Sequence, residues 1–157
     1  MQELVFTRRL FAVGQGKVEV LTTLTLPFHE RQKSRCKVKL DNGLPAALSL
    51  PRGKALRAGD LLQAQDGSVI EIRAATEAVS TASSSSPLLL THVCYHLGNR
   101  HVPLQIGQGW CRYLHDHVLD EMVRALGLEV LAEETPFEPV DGAYGGHSMH
   151  AGLGHAH

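Results

Sequence analysis

The chain changes its hydrophobic pattern near residue 75, and no other feature constrains its fold as tightly. Up to that point, apolar and polar residues alternate in short runs, and glycine-containing turns separate the runs. Alternation with a period of two is typical of β-strands. Beyond residue 75, two segments carry apolar residues at helical spacing, and short strand-like runs surround them. We therefore predict an α+β protein, with a small all-β domain at residues 1–75 and a mixed domain at residues 76–140.

The most regular alternation lies at residues 31–40 and predicts a strand with one charged face. Its basic residues are Arg31, Lys33, Arg35, Lys37 and Lys39. Because the side chains of a strand point alternately to its two faces, all five charges would share one face. The sequence Asp-Asn-Gly at residues 41–43 then predicts a tight turn that closes a hairpin. The charged face is either a docking surface for an acidic partner or nucleic acid, or a solvated face that discourages edge-to-edge aggregation.

Two helices and four strands are predicted in the second domain. The first helix begins with Ser86 as its N-cap and Pro87 in its first turn, and Gly98 is placed to end it. The second helix begins near Asp116 and stops at Gly127. The strands are predicted at residues 77–81, 102–106, 110–114 and 128–132. The resulting order, βαββαβ, is the ferredoxin-like arrangement.

The composition excludes several classes of function. The formal net charge of −1 gives no global electrostatic case for binding nucleic acid or an anionic membrane. Neither a signal peptide nor an apolar stretch long enough to span a bilayer is recognisable, so we expect a cytoplasmic protein. The cysteines are Cys36, Cys94 and Cys111. An odd and sparse set predicts no disulfide framework, and Cys94 and Cys111 lie in apolar contexts that are typical of buried free thiols.

Histidine is distributed unevenly, since nine of the ten histidines lie after residue 91. Four of these are in the Gly-rich terminus: His147, His150, His155 and His157. Periodicity is lost after Pro136, so we predict a disordered end with a flexible, histidine-containing tail at residues 141–157. Neutral imidazole is a good ligand for nickel, copper and zinc. The terminus is either a metal-collecting tail or a cloning tag, and the Gly, Ala, Ser and Met between its histidines favour a native tail.

A second concentration of histidine is the run His115-Asp116-His117, at the predicted junction of a strand and a helix. Side chains at i and i+2 share a strand face, with Cα atoms roughly 6.5 Å apart from the ~3.3 Å rise per residue. Two imidazoles there could reach one ion through bonds of about 2.0–2.1 Å. Alternatively, Asp116 is simply the N-cap of the helix and both histidines are exposed.

The remaining histidines of this half carry weaker signals. His92 and His96 are four residues apart on the first predicted helix and could chelate a metal, but no third ligand accompanies them. His101 follows that helix in a turn, where a lone histidine is more often an ordinary surface residue than a ligand. The pattern alone therefore leaves the roles of all three open.

One segment makes the chain recognisable. At residues 95–105, Tyr-His-Leu-Gly-Asn-Arg-His-Val-Pro-Leu-Gln, it resembles the UreE family of urease accessory proteins, nickel metallochaperones that help load the urease active site. The signature Gly-Asn-Arg-His at residues 98–101 is unusual and specific. Similar matches are Lys33-Ser-Arg-Cys-Lys-Val, Leu50-Pro-Arg-Gly, Leu56-Arg-Ala-Gly-Asp, Tyr113-Leu-His-Asp-His-Val-Leu-Asp and Pro136-Phe-Glu-Pro. The resemblance therefore extends along almost the whole chain.

The resemblance implies a homodimer formed through the second domain. His101 from both subunits would bind one metal ion at the dimer interface, and His115 and His117 would form a further metal site. The four tail histidines would bind additional nickel. Ni²⁺ would be transported cargo, with Cu²⁺ or Zn²⁺ able to occupy the same sites. The partners would be apo-urease and its other accessory proteins, including the GTPase of the family.

Two features of the sequence differ from the family pattern, and two other functions remain possible. The tail is poorer in histidine than the long tails of some family members, and His92 and His96 match no family ligand. A nickel storage or buffer protein that does not deliver its metal is one alternative. The other is a metal-dependent hydrolase that uses His115, His117 and a carboxylate such as Asp120, although no acidic residue is placed as an obvious base.

Overall fold

The computed structural model describes residues 3–11 and 17–142. It divides the chain into a unit built on the residues up to Ala74 and a second unit, Ala75–Val140. The first unit is almost entirely strands, whereas strands and helices alternate in the second. The predicted α+β class, with an all-β first half and a mixed second half, is confirmed. No helix among the described residues is both long and apolar enough to cross a membrane.

The first unit is a six-stranded sheet with one short helix. Its elements are β1 (Leu4–Leu10), β2 (Thr22–Leu26), α1 (Phe28–Arg31), β3 (Arg35–Lys39), β4 (Pro45–Ser49), β5 (Leu61–Ala64) and β6 (Val69–Ala74). The strand order is β2-β6-β5-β1-β4-β3. The pairs β1/β4 and β2/β6 are parallel, and the other pairs are antiparallel. Strands that are distant in sequence are therefore neighbours in the sheet.

One apolar cluster forms the core of this unit. The most buried of its large side chains are Phe6, Leu24, Leu40, Leu48, Leu62, Ile70 and Ile72. On β4 and β5 the more buried side chains recur at every second residue, as the period of two predicts. The turns are also where the sequence places them. Gly43, Gly59 and Gly67 each have a φ between 91° and 93°, a conformation that glycine adopts without steric cost.

The predicted strand with five charges on one face is only partly correct. The chain turns into α1 after Pro27, so Arg31 ends a helix, and its buried guanidinium donates hydrogen bonds to the carbonyls of Leu26 and Leu56, both at 3.0 Å. The strand begins only at Arg35. Three exposed charges share its face, namely Arg35, Lys37 and Lys39. The basic residues do alternate in the sequence, but Arg31, the first of them, is buried and hydrogen-bonded inside the unit.

The second unit contains the two predicted helices. Its elements are β7 (Thr76–Ser83), α2 (Pro87–Asn99), β8 (Gln105–Gly107), β9 (Trp110–Leu114), α3 (His117–Ala125) and β10 (Glu129–Pro136). They follow the predicted order βαββαβ. The antiparallel sheet has the order β10-β7-β9-β8, so that one strand always separates the two strands joined by a helix. This is the split βαβ arrangement.

The helices of this unit begin as the sequence predicts. The Ser86 hydroxyl accepts a hydrogen bond from the Leu89 amide at 3.2 Å, and Pro87 occupies the first turn of α2. The Asp116 carboxylate accepts from the Leu119 amide at 3.0 Å at the start of α3. Each cap satisfies an amide that has no partner within its own helix.

The chain remains ordered beyond Pro136, contrary to the predicted loss of structure there. The Phe137 side chain is fully buried, and the Val140 amide donates a hydrogen bond to the Leu104 carbonyl at 2.8 Å. A buried aromatic ring and a paired backbone hold this segment against the second unit despite its irregular composition. The tail histidines His147, His150, His155 and His157 lie outside the described residues.

Candidate metal-binding site

The histidine of the Gly-Asn-Arg-His signature occupies the position that terminates α2. His101 has a φ of 58° and is the only non-glycine residue with a positive φ in the described part of the chain. Its amide donates to the Gly98 carbonyl at 3.0 Å, and the Val102 amide donates to the Leu97 carbonyl at 3.2 Å. These two bonds define a Schellman motif, in which the left-handed residue is usually glycine.

The prediction that Gly98 ends the helix is therefore wrong, because α2 continues to Asn99 and the left-handed residue lies three positions after Gly98. Gly98 lies inside α2, and His101 takes the left-handed conformation instead. The next residue explains this placement, because Val102 packs against the apolar cluster that contains Leu97. This contact between the residues that flank the cap is a regular part of the motif. An exposed imidazole is thereby held at a fixed position on a helix end.

The outer side of α2 is apolar where a solvent-facing helix is normally polar. Leu88 and Tyr95 are 67% and 66% exposed, while Leu90 and Val93 face the core on the other side. Leu88, the exposed His92 and Tyr95 lie at i, i+4 and i+7 and form one stripe along the helix. We call Leu88, His92 and Tyr95 the outer stripe of α2. It leads along the same helix towards His101.

His115 is held on one side by oxygen atoms of the second unit. Its Nδ1 atom lies 3.0 Å from Ser80 Oγ and 3.4 Å from Asp120 Oδ2. Its side chain remains 46% exposed. The imidazole is therefore anchored through Nδ1, while much of the ring is open to solvent.

His117 has a different environment although it is two residues away. Its Nε2 atom lies 3.1 Å from Glu121 Oε1, across a pair of side chains that are 80% and 67% exposed. Asp116, between the two histidines, serves as the N-cap of α3, which was the alternative interpretation of that residue. Within residues 3–11 and 17–142, no three His, Cys, Asp or Glu side chains come together as a metal cluster.

The carboxylate beneath His115 belongs to a buried polar group that the sequence did not reveal. Asp120 is buried and accepts a hydrogen bond from the Tyr113 hydroxyl at 2.7 Å. Burial, followed by this contact with Asp120, raises the pKa of the Tyr113 phenol far above its usual range. Ser80 and Tyr113 are both fully buried. One signal was available, since Asp120 and Val123 are three residues apart on α3, which places the aspartate on the core side of the helix.

The thiols of this unit are poor candidates for metal ligands. Cys111 is fully buried, and burial raises the pKa of its thiol to about 12. Burial also raises the pKa of Cys94, whose sulfur contacts Cys111. Metals bind the thiolate form of cysteine, which such environments disfavour. All three cysteines are free, as the sequence predicts.

The fold and its exposed histidines define a class of small two-domain α+β proteins that present imidazoles at the ends of helices. Two family models match the chain, one beginning in each structural unit. The model of the N-terminal domain of UreE urease accessory proteins matches residues 7–75, and that of the C-terminal domain matches residues 77–157. The chain belongs to the UreE family of urease accessory proteins.

Relatives of this name are similar over most of the chain. The urease accessory protein UreE of Alkalilimnicola ehrlichii is 61% identical over 124 residues, which cover 79% of this chain and 76% of that protein. UreE of Vibrio parahaemolyticus is 58% identical over 132 residues, covering 84% of this chain and 83% of the relative. UreE of Proteus mirabilis is also 58% identical, over 79% of this chain and 77% of its own.

Proposed function

We propose that the protein is a nickel metallochaperone that binds Ni²⁺ through histidines and delivers it to apo-urease during assembly of the nickel centre. Membership in a family of urease accessory proteins supports the connection with urease. The main support for the metal assignment is the position of His101. Its exposed imidazole lies at a left-handed cap position where glycine is the favoured residue. A residue kept in a costly conformation is a candidate for a functional role. The proposal assigns no catalytic step to the protein.

The metal site at His101 is proposed to lie between two copies of the chain. The outer stripe of α2 supports this arrangement, because Leu88 and Tyr95 expose large apolar surfaces on the helix that ends near His101. A twofold axis at this stripe would bring identical surfaces together and supply one His101 from each protomer. Two imidazoles form an incomplete coordination set for nickel. The open positions provide a route for associative exchange with the recipient.

The other histidines are proposed as accessory ligands. His115 and His117 would form a second site, and the four tail histidines would raise the local concentration of ligands around the ion without being permanently ordered. Copper binds such sites more tightly than nickel, and zinc also accepts imidazole. Selectivity for nickel must therefore come from metal availability and from recognition of the recipient, and Cu²⁺ or Zn²⁺ can occupy the same ligands in vitro.

A basic cavity in the first unit is the proposed docking surface for partner proteins, among them apo-urease and the GTPase of the family. Its volume is about 480 Å³. The cationic residues that line it are Arg8, Arg9, Arg31, Lys33, Arg52 and Lys54, and no described residue of the lining is acidic. Apolar groups such as Phe11 and Leu50 line it as well. An acidic segment with an apolar anchor fits this combination. The sequence left open whether the basic strand face is a docking surface or a solvated face, and we propose the cavity for the docking role instead.

Nickel titration calorimetry tests the interface site. Replacing His101 by Ala should abolish the tightest nickel-binding event while the dimer persists. The matched control is His96→Ala, which removes an exposed imidazole from the same helix and should leave that event in place. An isotherm of His101→Ala equal to that of the unmodified protein would refute the site.

Urease activation in cells under limiting nickel distinguishes delivery from storage. A delivery protein should restore activation, and its His101→Ala variant should not. A protein that only buffers nickel would bind the metal without restoring activation. For the hydrolase alternative, Asp120 is a poor candidate base, because its two oxygens face groups of the protein, Tyr113 and His115.

Docking at the cavity is tested by charge reversal. The double variant Arg52→Glu and Lys54→Glu should weaken co-purification with the apo-urease complex, and the interaction should weaken further as salt is raised. The control is Lys39→Glu, an exposed charge on β3 that does not line the cavity. Equal losses in both variants would assign the effect to net charge and overturn the cavity as the docking surface.

A further inference from the structure

The buried carboxylate of Asp120 requires an explanation that the fold alone does not supply. Among the described residues, neither of its oxygens contacts a lysine or an arginine. A carboxylate removed from water is costly unless hydrogen-bond donors compensate it. Oδ1 has the Tyr113 hydroxyl at 2.7 Å, and Oδ2 faces His115 Nδ1 at 3.4 Å. The donor available to Oδ2 is therefore the imidazole of a proposed metal ligand.

Ser80 completes a group of four neighbouring side chains. Its hydroxyl lies 3.0 Å from His115 Nδ1, and its proximity to the Tyr113 phenol opposes the rise of the pKa of that phenol. One arrangement of protons fits these contacts. Tyr113 donates to Asp120 Oδ1, and the Nδ1–H group of His115 donates to Ser80 Oγ and faces Asp120 Oδ2 at 3.4 Å. We call Ser80, Tyr113, His115 and Asp120 the Asp120 ring.

The opposite assignment for His115 leaves one buried oxygen without a donor. If Nδ1 carried a lone pair, it would accept a hydrogen bond from Ser80, and Asp120 Oδ2 would lose the donor that the ring offers it. The lone pair would also face the carboxylate oxygen at 3.4 Å, without a proton between them. The geometry therefore selects the tautomer of neutral imidazole that has its proton on Nδ1.

We propose that Asp120, acting through this ring, is a positioning residue that fixes His115 as the Nδ1–H tautomer and presents Nε2 as its metal-binding nitrogen. The inference rests on the proposed function in one respect, that His115 binds metal. Nε2 of His115 has no protein partner in the described part of the chain. Contacts of this kind orient ligating histidines and raise their basicity, and their removal typically costs 10–100-fold in metal affinity.

The two histidines of the His-x-His pair are then not equivalent. In His117 the nitrogen that contacts a carboxylate is Nε2, and both partners are exposed to solvent. A weak, screened contact of this type does not select a tautomer. His115 would be the preorganised ligand of the pair, and His117 would adapt to the metal when it binds.

Nitrogen NMR of the full chain tests the proposal directly. Long-range proton–nitrogen correlation spectra of histidine-labelled, metal-free protein at about pH 8 distinguish the two tautomers of neutral imidazole. His115 should show the Nδ1–H pattern. A spectrum with the proton on Nε2 would overturn the proposal without the need for any variant.

Two variants and a matched control extend the test. Asp120→Asn should abolish the tautomer preference of His115 and lower the affinity of its site for Ni²⁺ by 10–100-fold. Tyr113→Phe removes the Oη–H donor with little change in shape, and it should reduce the preference in the same direction. The control, Glu121→Gln, changes the carboxylate next to His117 and should leave the His115 spectrum unchanged. A wild-type tautomer pattern in Asp120→Asn would overturn the positioning role.

Zinc separates a failure of this inference from a failure of the proposed function. Zn²⁺ is diamagnetic, so its binding can be followed on the same imidazole nitrogens. A shift of His115 Nε2 on addition of Zn²⁺ supports both conclusions. An Nδ1–H tautomer with an Nε2 that does not respond to Zn²⁺ or Ni²⁺ supports the ring geometry but overturns the metal role of His115.

Discussion

At the scale of single residues, the left-handed conformation of His101 connects the stability of the protein with its proposed function. A residue with a Cβ atom in the left-handed region costs about 1–2 kcal/mol relative to glycine, because Cβ approaches the following carbonyl oxygen. The second helix of the unit shows the unstrained solution, since Gly127 occupies the equivalent position after α3 with a φ of 105°. The chain thus uses glycine at one cap and histidine at the other. The histidine supplies an imidazole at a backbone position that the Schellman motif fixes.

Replacing His101 by Gly should therefore stabilise the protein by about 1 kcal/mol while eliminating the nickel site proposed at this residue. Thermal unfolding of the metal-free protein measures the first effect and calorimetry the second. Gly127→Ala is the reverse control. It should destabilise, because its φ is 105° and a Cβ atom there would lie 3.2 Å from Leu89 Cδ2. A lower melting temperature for His101→Gly would contradict the assignment of strain to the cap.

The sequence indicated which residue types matter but not these conformations. Gly98 was the natural choice to end α2, because glycine is the usual left-handed residue. The helix end depends instead on where an apolar residue after the helix can pack against the core, and Val102 does so. In the same way, Ser80 lies on β7 and meets His115 only through the pairing of β7 with β9. Contacts of this kind arise from tertiary structure and leave no local pattern.

At the scale of elements, the segment between β2 and β3 shows that one alternating sequence pattern can extend over both a helix end and a strand. Residues 31–40 alternate perfectly, yet α1 and a turn occupy their first part. Pro27 precedes the first helical residue and fixes an extended backbone there, with a φ of −71°. The buried Arg31 then satisfies two carbonyls and stacks over the Phe28 ring at 5.6 Å. Periodicity could not distinguish a buried, hydrogen-bonded arginine from a solvated one.

Arg31→Ala should accordingly destabilise the first unit by about 3 kcal/mol. The estimate follows from hydrogen bonds to a charged group, at about 1.5–3 kcal/mol, and from two buried carbonyls left without this donor. Urea denaturation followed by circular dichroism measures the change. Lys39→Ala, on the exposed face of β3, should stay within about 0.5 kcal/mol of the unmodified protein. Similar values for both variants would show that Arg31 behaves as an ordinary surface charge.

The hairpin of β8 and β9 depends on a close approach between a glycine and the sole tryptophan of the chain. A Cβ atom added to Gly107 would lie 2.2 Å from an atom of the Trp110 ring. The ring also stacks with the Arg112 guanidinium, whose central carbon lies 4.5 Å from the ring centroid. Glycine is thus required here for space, because its φ is not positive.

Gly107→Ala should displace the Trp110 ring from Arg112 and destabilise the hairpin by about 1–3 kcal/mol. Tryptophan fluorescence reports this displacement without ambiguity, since no second tryptophan contributes. Gly53→Ala is the matched control, because no atom lies within 4 Å of its added Cβ. An emission spectrum of Gly107→Ala that matches the control would contradict the close packing of ring and glycine.

At the scale of the whole molecule, the sequence predicted the class and the element order better than the pairing of strands. The class follows from local periods, and helix starts follow from caps such as Ser86 and Asp116. The order of the six-stranded sheet depends on which distant strands meet, as when Thr22 lies opposite Ile70. Nothing local encodes such a partner. The same distinction explains why the sequence could suggest histidines as candidate metal ligands but could not predict the contacts of the Asp120 ring.

The division of the histidines between folded unit and tail leads to a further prediction. Deleting residues 147–157 removes four imidazoles and should lower the number of nickel ions bound per chain. The tightest affinity should change little, because it is assigned to His101. Calorimetry of the truncated and full-length proteins gives both quantities. Loss of the tightest event on truncation would place the principal site in the tail.

The parallel pair β2/β6 has a consequence for how the protein is made. Synthesis releases β2 early, but its neighbour in the sheet is the last strand of the first unit. At about 5–20 residues per second, β2 leaves the ribosome seconds before its partner exists. During that interval β2 has no neighbouring strand to pair with. The sheet of the first unit can therefore be completed only after residue 74 has been translated. Pairing of strands so far apart in sequence is slow, and it leaves the incomplete sheet exposed to aggregation in the meantime.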